Sequence, residues 1–220
     1  MKGVAVVMAH ANTSIRPRFS WIFLVGVLVV LAGCGAEAQI GGNRLEPQPA
    51  PDFTLVDQRG NVVQLSNLRG TVVVLTFIYT NCPDICPLIA QRLRATVARL
   101  PDSIGARVTM LAVTVDPARD TPAALQAFSE THGLANDPRW HALTGDPAAL
   151  EAVWDAWSVN PAALLADDDH SHSDGTPTVE ALLGHSTPVF VIDRQGRERT
   201  VFGGTFDPKV LAETLEALAR

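Results

Sequence analysis

The stretch Thr71-Val72-Val73-Val74-Leu75-Thr76-Phe77-Ile78 runs directly into Tyr79-Thr80-Asn81-Cys82-Pro83-Asp84-Ile85-Cys86-Pro87. A β-branched, almost continuously apolar run of this kind suits a central strand buried on both faces. Leu88, Ile89, Leu93, Val97 and Leu100 then recur at helical spacing. The expected order is strand, cysteine loop, helix. Pro87 fits the first helical position, which sets Cys86 at the helix N-terminus, where the macrodipole and free N–H groups favour a thiolate. Cys82 lies in the loop just before. A separation of four along a turning chain lets both sulfurs reach one side, to form a disulfide or to grip one metal ion. The spacing is Cys-x-x-x-Cys, one residue wider than the Cys-x-x-Cys of thioredoxin-type oxidoreductases.

Outward from that segment, strands and helices alternate. Phe53 to Val56 and Val62 to Leu65 flank Asp57-Gln58-Arg59-Gly60-Asn61 and read as a β-hairpin. Val108 to Val115 is a second buried strand. A helix opens near Pro122 with Asp120 or Thr121 as its cap. Trp140 to Leu143 reads as a short strand, and Asp146-Pro147 opens a helix running toward Trp157. Val189 to Ile192, the turn Arg194-Gln195-Gly196 and Arg199 to Phe202 form an antiparallel pair, and Asp207-Pro208 opens the last helix. This order predicts an α/β architecture: an N-terminal β-hairpin and a central mixed sheet flanked by helices.

The 220-residue chain is 47% apolar and 18% charged, a globular composition. Its formal net charge is -6. Residues 1–33 carry Lys2, Arg16 and Arg18 and no acid, so 14 basic residues face 23 acidic ones in the remainder. That balance repels phosphate backbones and argues against nucleic-acid binding. Three cysteines are too few for a disulfide scaffold.

Arg16 and Arg18 precede an apolar run from Trp21 to Leu31, which is short for a membrane span and ends in Leu31-Ala32-Gly33-Cys34. Small residues before a cysteine at the end of such a run resemble a bacterial lipobox. The expectation is a signal peptide over 1–33, lipidation at Cys34, a flexible anchored spacer over 34–51 rich in Gly, Pro, Gln and Ala, and one domain over 52–220. Met8 is a second candidate start. The protein is then an extracytoplasmic, membrane-anchored lipoprotein of a bacterial periplasm or cell surface.

Three segments together resemble the Sco (SenC-type) family. They are Cys82-Pro83-Asp84-Ile85-Cys86-Pro87 in the context Tyr79-Thr80-Asn81, then Val115-Asp116-Pro117-Ala118-Arg119-Asp120-Thr121-Pro122, then Gly184-His185-Ser186 before the strand at Val189. The resemblance runs from about Pro51 to the C-terminus. It implies a thioredoxin-like fold and a copper site, for Cu(I) or Cu(II), formed by Cys82, Cys86 and His185. It also implies delivery of copper to the binuclear copper site of cytochrome c oxidase. Thiolates select Cu(I), and imidazole serves both oxidation states, so the donor set fits that cargo. Family members usually carry histidine where this chain has Asn81. Many also lack Pro188, which stands where thiol oxidoreductases carry a cis-proline; here it is either that or an ordinary trans proline at a strand start.

A second reading therefore stands beside the metallochaperone: a thiol–disulfide reductase acting on the oxidase's cysteines through Cys82 and Cys86. A peroxiredoxin-like peroxidase ranks last, because Arg119 is a poor candidate for its arginine. Tyr79 and Pro188 are candidates to line the site, and Asp116 and Asp120 to support it or to dock a partner; for Asp120 capping before Pro122 is explanation enough, and Asp116 stays open. The segment Asp167 to Asp174, with His170 and His172, is either a loose metal-gathering loop or a solvated one. His132 and His141 read as structural, and Trp140, Trp154 and Trp157 as packing residues. A monomer is expected.

Overall fold

The structure, a computed structural model, describes Gly3 and residues 40–166 and 187–220. Cys34, the segment from Asp167 to Asp174 and Gly184-His185-Ser186 lie outside the described residues. The strands are β1 (Asn43–Arg44), β2 (Thr54–Asp57), β3 (Val62–Gln64), β4 (Val72–Ile78), β5 (Val108–Thr114), β6 (Trp140–Thr144), β7 (Pro188–Ile192) and β8 (Glu198–Gly203). The helices are α1 (Ile85–Val97), α2 (Asp102–Gly105), α3 (Pro122–Thr131), α4 (Pro147–Ala156), α5 (Pro161–Ala166) and α6 (Pro208–Ala219).

The strands form one mixed sheet in the order β1-β8-β7-β4-β5-β6-β2-β3. β4 pairs in parallel with β5 from Val72↔Val108 to Ile78↔Thr114, and antiparallel with β7 from Val73↔Ile192 to Thr76↔Val189. Every residue of β4, β5 and β7 is buried, which is why these strands read as unbroken apolar runs. Three helices begin by one device: Thr121, Asp146 and Asp207 each accept a backbone N–H from the first turn, with proline at the opening position. α6 packs on α1 and on β4, α3 packs on β6, and α4 on β2. The closing β7–turn–β8–α6 unit is the one the thioredoxin resemblance calls for.

The expected hairpin forms, with the register Thr54↔Gln64 to Val56↔Val62. The fully buried Asp57 holds its turn, accepting from the N–H groups of Arg59 and Asn61 at 2.9 and 2.8 Å. His141 Nδ1 lies 3.0 Å from the same carboxylate, and His132 packs on Phe128 with ring centroids 4.4 Å apart, so both histidines are structural. Trp140 is fully buried, its Nε1 donating to Ser129 Oγ at 2.9 Å, and Trp157 packs edge-on to Phe190.

Part of the expected spacer is built into the sheet. Asn43 and Arg44 pair with Val201 and Thr200 of β8, Pro49 bridges to Arg197, and the Ala50 N–H donates to the Gly196 carbonyl at 2.9 Å. The glycines there serve close packing: a Cβ on Gly41 would lie 2.3 Å from Val210 Cγ1, and one on Gly42 would lie 2.6 Å from Thr200 Oγ1. Gly42 also has φ +78, a left-handed conformation that costs an L side chain about 1–2 kcal/mol. Gly42→Ala is therefore expected to lower the unfolding free energy by about 1–2 kcal/mol, from conformation alone and more if Thr200 cannot yield. Urea denaturation checks it; an unchanged midpoint would show that residues 41–44 do not hold the domain.

Candidate functional site

β4 ends at Ile78, and the chain turns at once, with the Cys82 N–H donating to the Tyr79 carbonyl at 3.2 Å. α1 begins at Ile85, so Cys86 is its second residue and Pro87 its third, and the helix starts two residues earlier than the sequence suggests. The residue before the helix, Asp84, makes no side-chain cap to it. Cys82 fills that role: its Sγ accepts the Cys86 backbone N–H at 3.3 Å. The sulfur at the positive end of the helix is therefore that of Cys82, not Cys86 as expected. Helix-terminal N–H groups must find acceptors, and a thiolate is a strong one.

Both cysteines are free and buried, with 6% and 1% of their surface exposed. The Cys86 thiol donates to Cys82, and this bond, with further ones from the Asp84 and Cys86 backbone and the Tyr79 side chain, lowers the Cys82 thiol to about 6 against the cost of burial. The same partnership drives Cys86 the other way. Its thiol is held protonated by the Cys82 sulfur first, by burial second and by the Cys82 charge third, with the Asp120 carboxylate adding to the effect. The pair is thus a thiolate and a thiol in one buried pocket, the arrangement of a soft metal site or of a nucleophile with its resolving partner.

The family model for SCO1/SenC matches residues 42–220. The chain belongs to the SCO1/SenC family. It is 30% identical over 164 residues to an SCO2-like protein of Rickettsia conorii, covering 74% of each chain. A structure of Bradyrhizobium japonicum ScoI with copper bound superposes with TM-score 0.55 at 27% identity, covering 78% of this chain and 99% of that one. A copper-bound crystal structure of yeast Sco1 superposes with TM-score 0.59 at 26% identity, covering 77% and 87%. These Sco structures share the thioredoxin-like fold.

Of the sequence candidates, the fold brings Cys82, Cys86 and Tyr79 together. Tyr79 is buried. Pro188 opens β7 through a trans bond, since the described residues contain no cis peptide, and its carbonyl accepts the Thr76 hydroxyl at 2.9 Å. The cis-proline alternative is therefore excluded. Asp116 is buried and ion-paired with Arg119, and its N–H donates to Thr114 Oγ1 at 2.9 Å. That pairing occupies Arg119, whose side chain is 58% exposed, and leaves the peroxidase reading without its arginine. His185 and Cys34 lie outside the described residues, as do His170 and His172.

Two site residues differ from the sequence reading: Thr80, to which it gives no role, and Asp120, for which it prefers capping over support of the site. Asp120 does not cap α3, because Thr121 does, accepting the Ala124 N–H at 3.2 Å. Asp120 instead points back at the cysteine loop, accepting from Thr80. The signal available in the sequence is a surplus: Asp120-Thr121-Pro122 offers two caps for one helix, so one of them is free for other work.

The geometry predicts a titration. Thiolate ultraviolet absorbance of the reduced, metal-free protein should rise with a midpoint near pH 6, and Cys86→Ala, which removes the main donor, should move that midpoint up toward the ordinary thiol value. The linked stability follows in sign. A thiol lowered on folding contributes stability that is fully present above its unfolded value near 9.0 and is lost as pH falls through about 6. Between those limits Cys86 is protonated in both states, so the stability difference between wild type and Cys82→Ser should grow from pH 6 to pH 8. A flat difference would refute the assignment.

Proposed function

We propose that the chain is an extracytoplasmic copper carrier that takes up one copper ion through Cys82, Cys86 and His185 and passes it to the binuclear copper site of cytochrome c oxidase. The observation that carries this reading is the buried pair of unpaired cysteines with one sulfur stabilised as a thiolate at the start of α1. Thiolates are soft ligands suited to Cu(I), and burial excludes water and competing hard cations. Among the described residues no group of three His, Cys, Asp or Glu side chains lies together, so the pair needs a further ligand from elsewhere. His185 suits that part: it stands three residues before Pro188, and β7 enters the sheet beside the end of β4 from which the cysteine loop leaves.

Copper is cargo in this reading. The thiolate of Cys82 is available as the entry ligand, and Cys86 becomes a second one by giving up its proton when the cation arrives, since metal ligation requires the deprotonated sulfur. Release runs by ligand exchange onto the thiolates of the acceptor. Lipidation at Cys34 would hold the monomer at the outer face of a membrane, where an integral oxidase presents its copper site. Among the described residues no helix is long and apolar enough to cross a membrane.

The thiolate–thiol asymmetry also favours a second reading, disulfide reduction on the acceptor's cysteines. Cys82 would attack one sulfur of the target disulfide and release the other as a thiolate. Cys86, deprotonated in turn, would attack Cys82, freeing the second target thiol and leaving a Cys82–Cys86 disulfide for an external thiol donor to reduce.

Anaerobic titration of the reduced protein with Cu(I) against a competing chelator tests the first reading. One equivalent should bind tightly, and Cys82→Ser, Cys86→Ser and His185→Ala should each weaken binding by about tenfold or more, since losing only a partner that supports a ligand already costs that much. Stoichiometric disulfide exchange with no tight copper would replace the carrier by the reductase.

A further inference from the structure

We propose that Asp120 is a positioning residue for the cysteine pair, its buried carboxylate clamping Thr80, and with it the loop that carries Cys82, to the end of β5. This inference rests on the reading of Cys82 and Cys86 as the working site.

Asp120 is fully buried. Its Oδ1 accepts both the backbone N–H and the hydroxyl of Thr80, at 3.1 and 2.6 Å, and its Oδ2 accepts the hydroxyl of Thr114 at 2.5 Å. Among the described residues no Lys, Arg or His is ion-paired with it, the nearby Arg119 being engaged by Asp116. A buried carboxylate without a cation is costly unless its oxygens are filled by donors. Here three donors fill them, two from one residue of the loop and one from the strand. Capping does not account for the residue, because Thr121 caps α3.

Thr114 is itself anchored from three sides. It is the last residue of β5, paired with Ile78, its hydroxyl accepts the Asp116 N–H at 2.9 Å, and its carbonyl accepts Trp154 Nε1 at 3.0 Å. Asp120 thus ties the loop to a rigid point of the sheet. Thr80 stands two residues before Cys82, in a turn whose next residue, Asn81, is exposed. Without the clamp the loop keeps its Tyr79–Cys82 turn but loses its attachment on the β5 side, and the Cys82 sulfur is no longer registered on the α1 N–H groups. Asp120 acts through Thr80, so it is a support and not a ligand.

The test uses the reduced full chain at about pH 5, below the Cys82 midpoint so that the thiolate fraction tracks its acidity, with a limiting amount of iodoacetamide, and mass spectrometry to read the ratio of label at Cys82 to label at Cys86. Wild type should label at Cys82. Asp120→Ala should lower the ratio about tenfold, the change that one unit of thiol acidity gives, in a protein that still unfolds cooperatively. Asp120→Asn keeps an oxygen for Thr80 and should retain most of the ratio. If Asp120→Ala does not fold, Thr80→Val, which removes only the hydroxyl arm, should lower the ratio by a smaller factor. A wild-type ratio in the folded Ala or Val variant overturns the clamp, and so does an Asn variant as impaired as the Ala variant, which would make the charge and not the hydrogen bonds the cause. Copper uptake measured in parallel separates the two claims: a wild-type chain that takes up no copper removes the carrier reading and leaves the labelling ratio to judge Asp120.

Discussion

The burial of β4 on both faces is the constraint from which the rest follows. A strand with β5 in parallel on one edge and β7 antiparallel on the other has no freedom of register, because all its side chains are committed to the interior. Its last residue, Ile78, is therefore a fixed point, and the Val115 N–H binds the Ile78 carbonyl at 2.9 Å to extend the parallel ladder by one step. The cysteine loop leaves the sheet from that point and must reach the start of α1 within six residues. So short a connection leaves Cys82 close to the N–H groups of the first helical turn. The chemistry of the pair is a consequence of where a buried strand stops.

Within that frame the two cysteines divide their roles by what each can accept. Cys82 receives donors from the helix start, from Tyr79 and from the Cys86 thiol, so negative charge is stabilised on it. Cys86, deeper and in the first turn of the helix, has the Cys82 sulfur on one side and the Asp120 carboxylate nearby, so negative charge is disfavoured there. Two anions in one dry pocket repel, and a single proton between them relieves that repulsion. A cation entering the pocket does the same work as the proton, with the difference that it can hold both sulfurs as thiolates. A soft monovalent metal ion and a proton therefore compete for the same place, and the buried carboxylate of Asp120 biases the pocket further toward cations.

Much of this was legible in the chain. The runs Thr71 to Ile78, Val108 to Val115 and Val189 to Ile192 have no polar alternation, and they mark the fully buried strands Val72–Ile78, Val108–Thr114 and Pro188–Ile192. The Asp-Pro and Thr-Pro pairs mark helix starts because one residue supplies the acceptor and the next needs no donor. The cysteine pair was visible from its spacing and context. What failed was what depends on distant partners. Residues 41–50 have the composition of a linker, yet Gly41 and Gly42 are small because Val210 and Thr200 lie against them, a reason that only tertiary packing supplies. Asp120 looked like a cap because its true partners, Thr80 and Thr114, are 40 and 6 residues away. The helix start was misjudged by two positions, and that moved the favoured thiolate from Cys82 to Cys86, because proline is compatible with the third helical position as well as the first.

The trans bond before Pro188 bears on which chemistry the pocket serves. In this chain the Pro188 carbonyl is committed to the Thr76 hydroxyl, and Pro188 pairs with Gly203 in the sheet, so the backbone at the head of β7 is consumed by the fold. A site that exchanges disulfides with a protein substrate must admit a sulfur and hold the backbone that carries it. A site that carries a metal ion needs only its ligands and a way in. With Cys82 and Cys86 almost fully buried and the start of β7 occupied, the described part of the pocket makes fewer provisions for a polypeptide than for an ion. The thiolate–thiol asymmetry is common to both chemistries; the burial of the two cysteines is the described feature that supports the proposed carrier over the reductase.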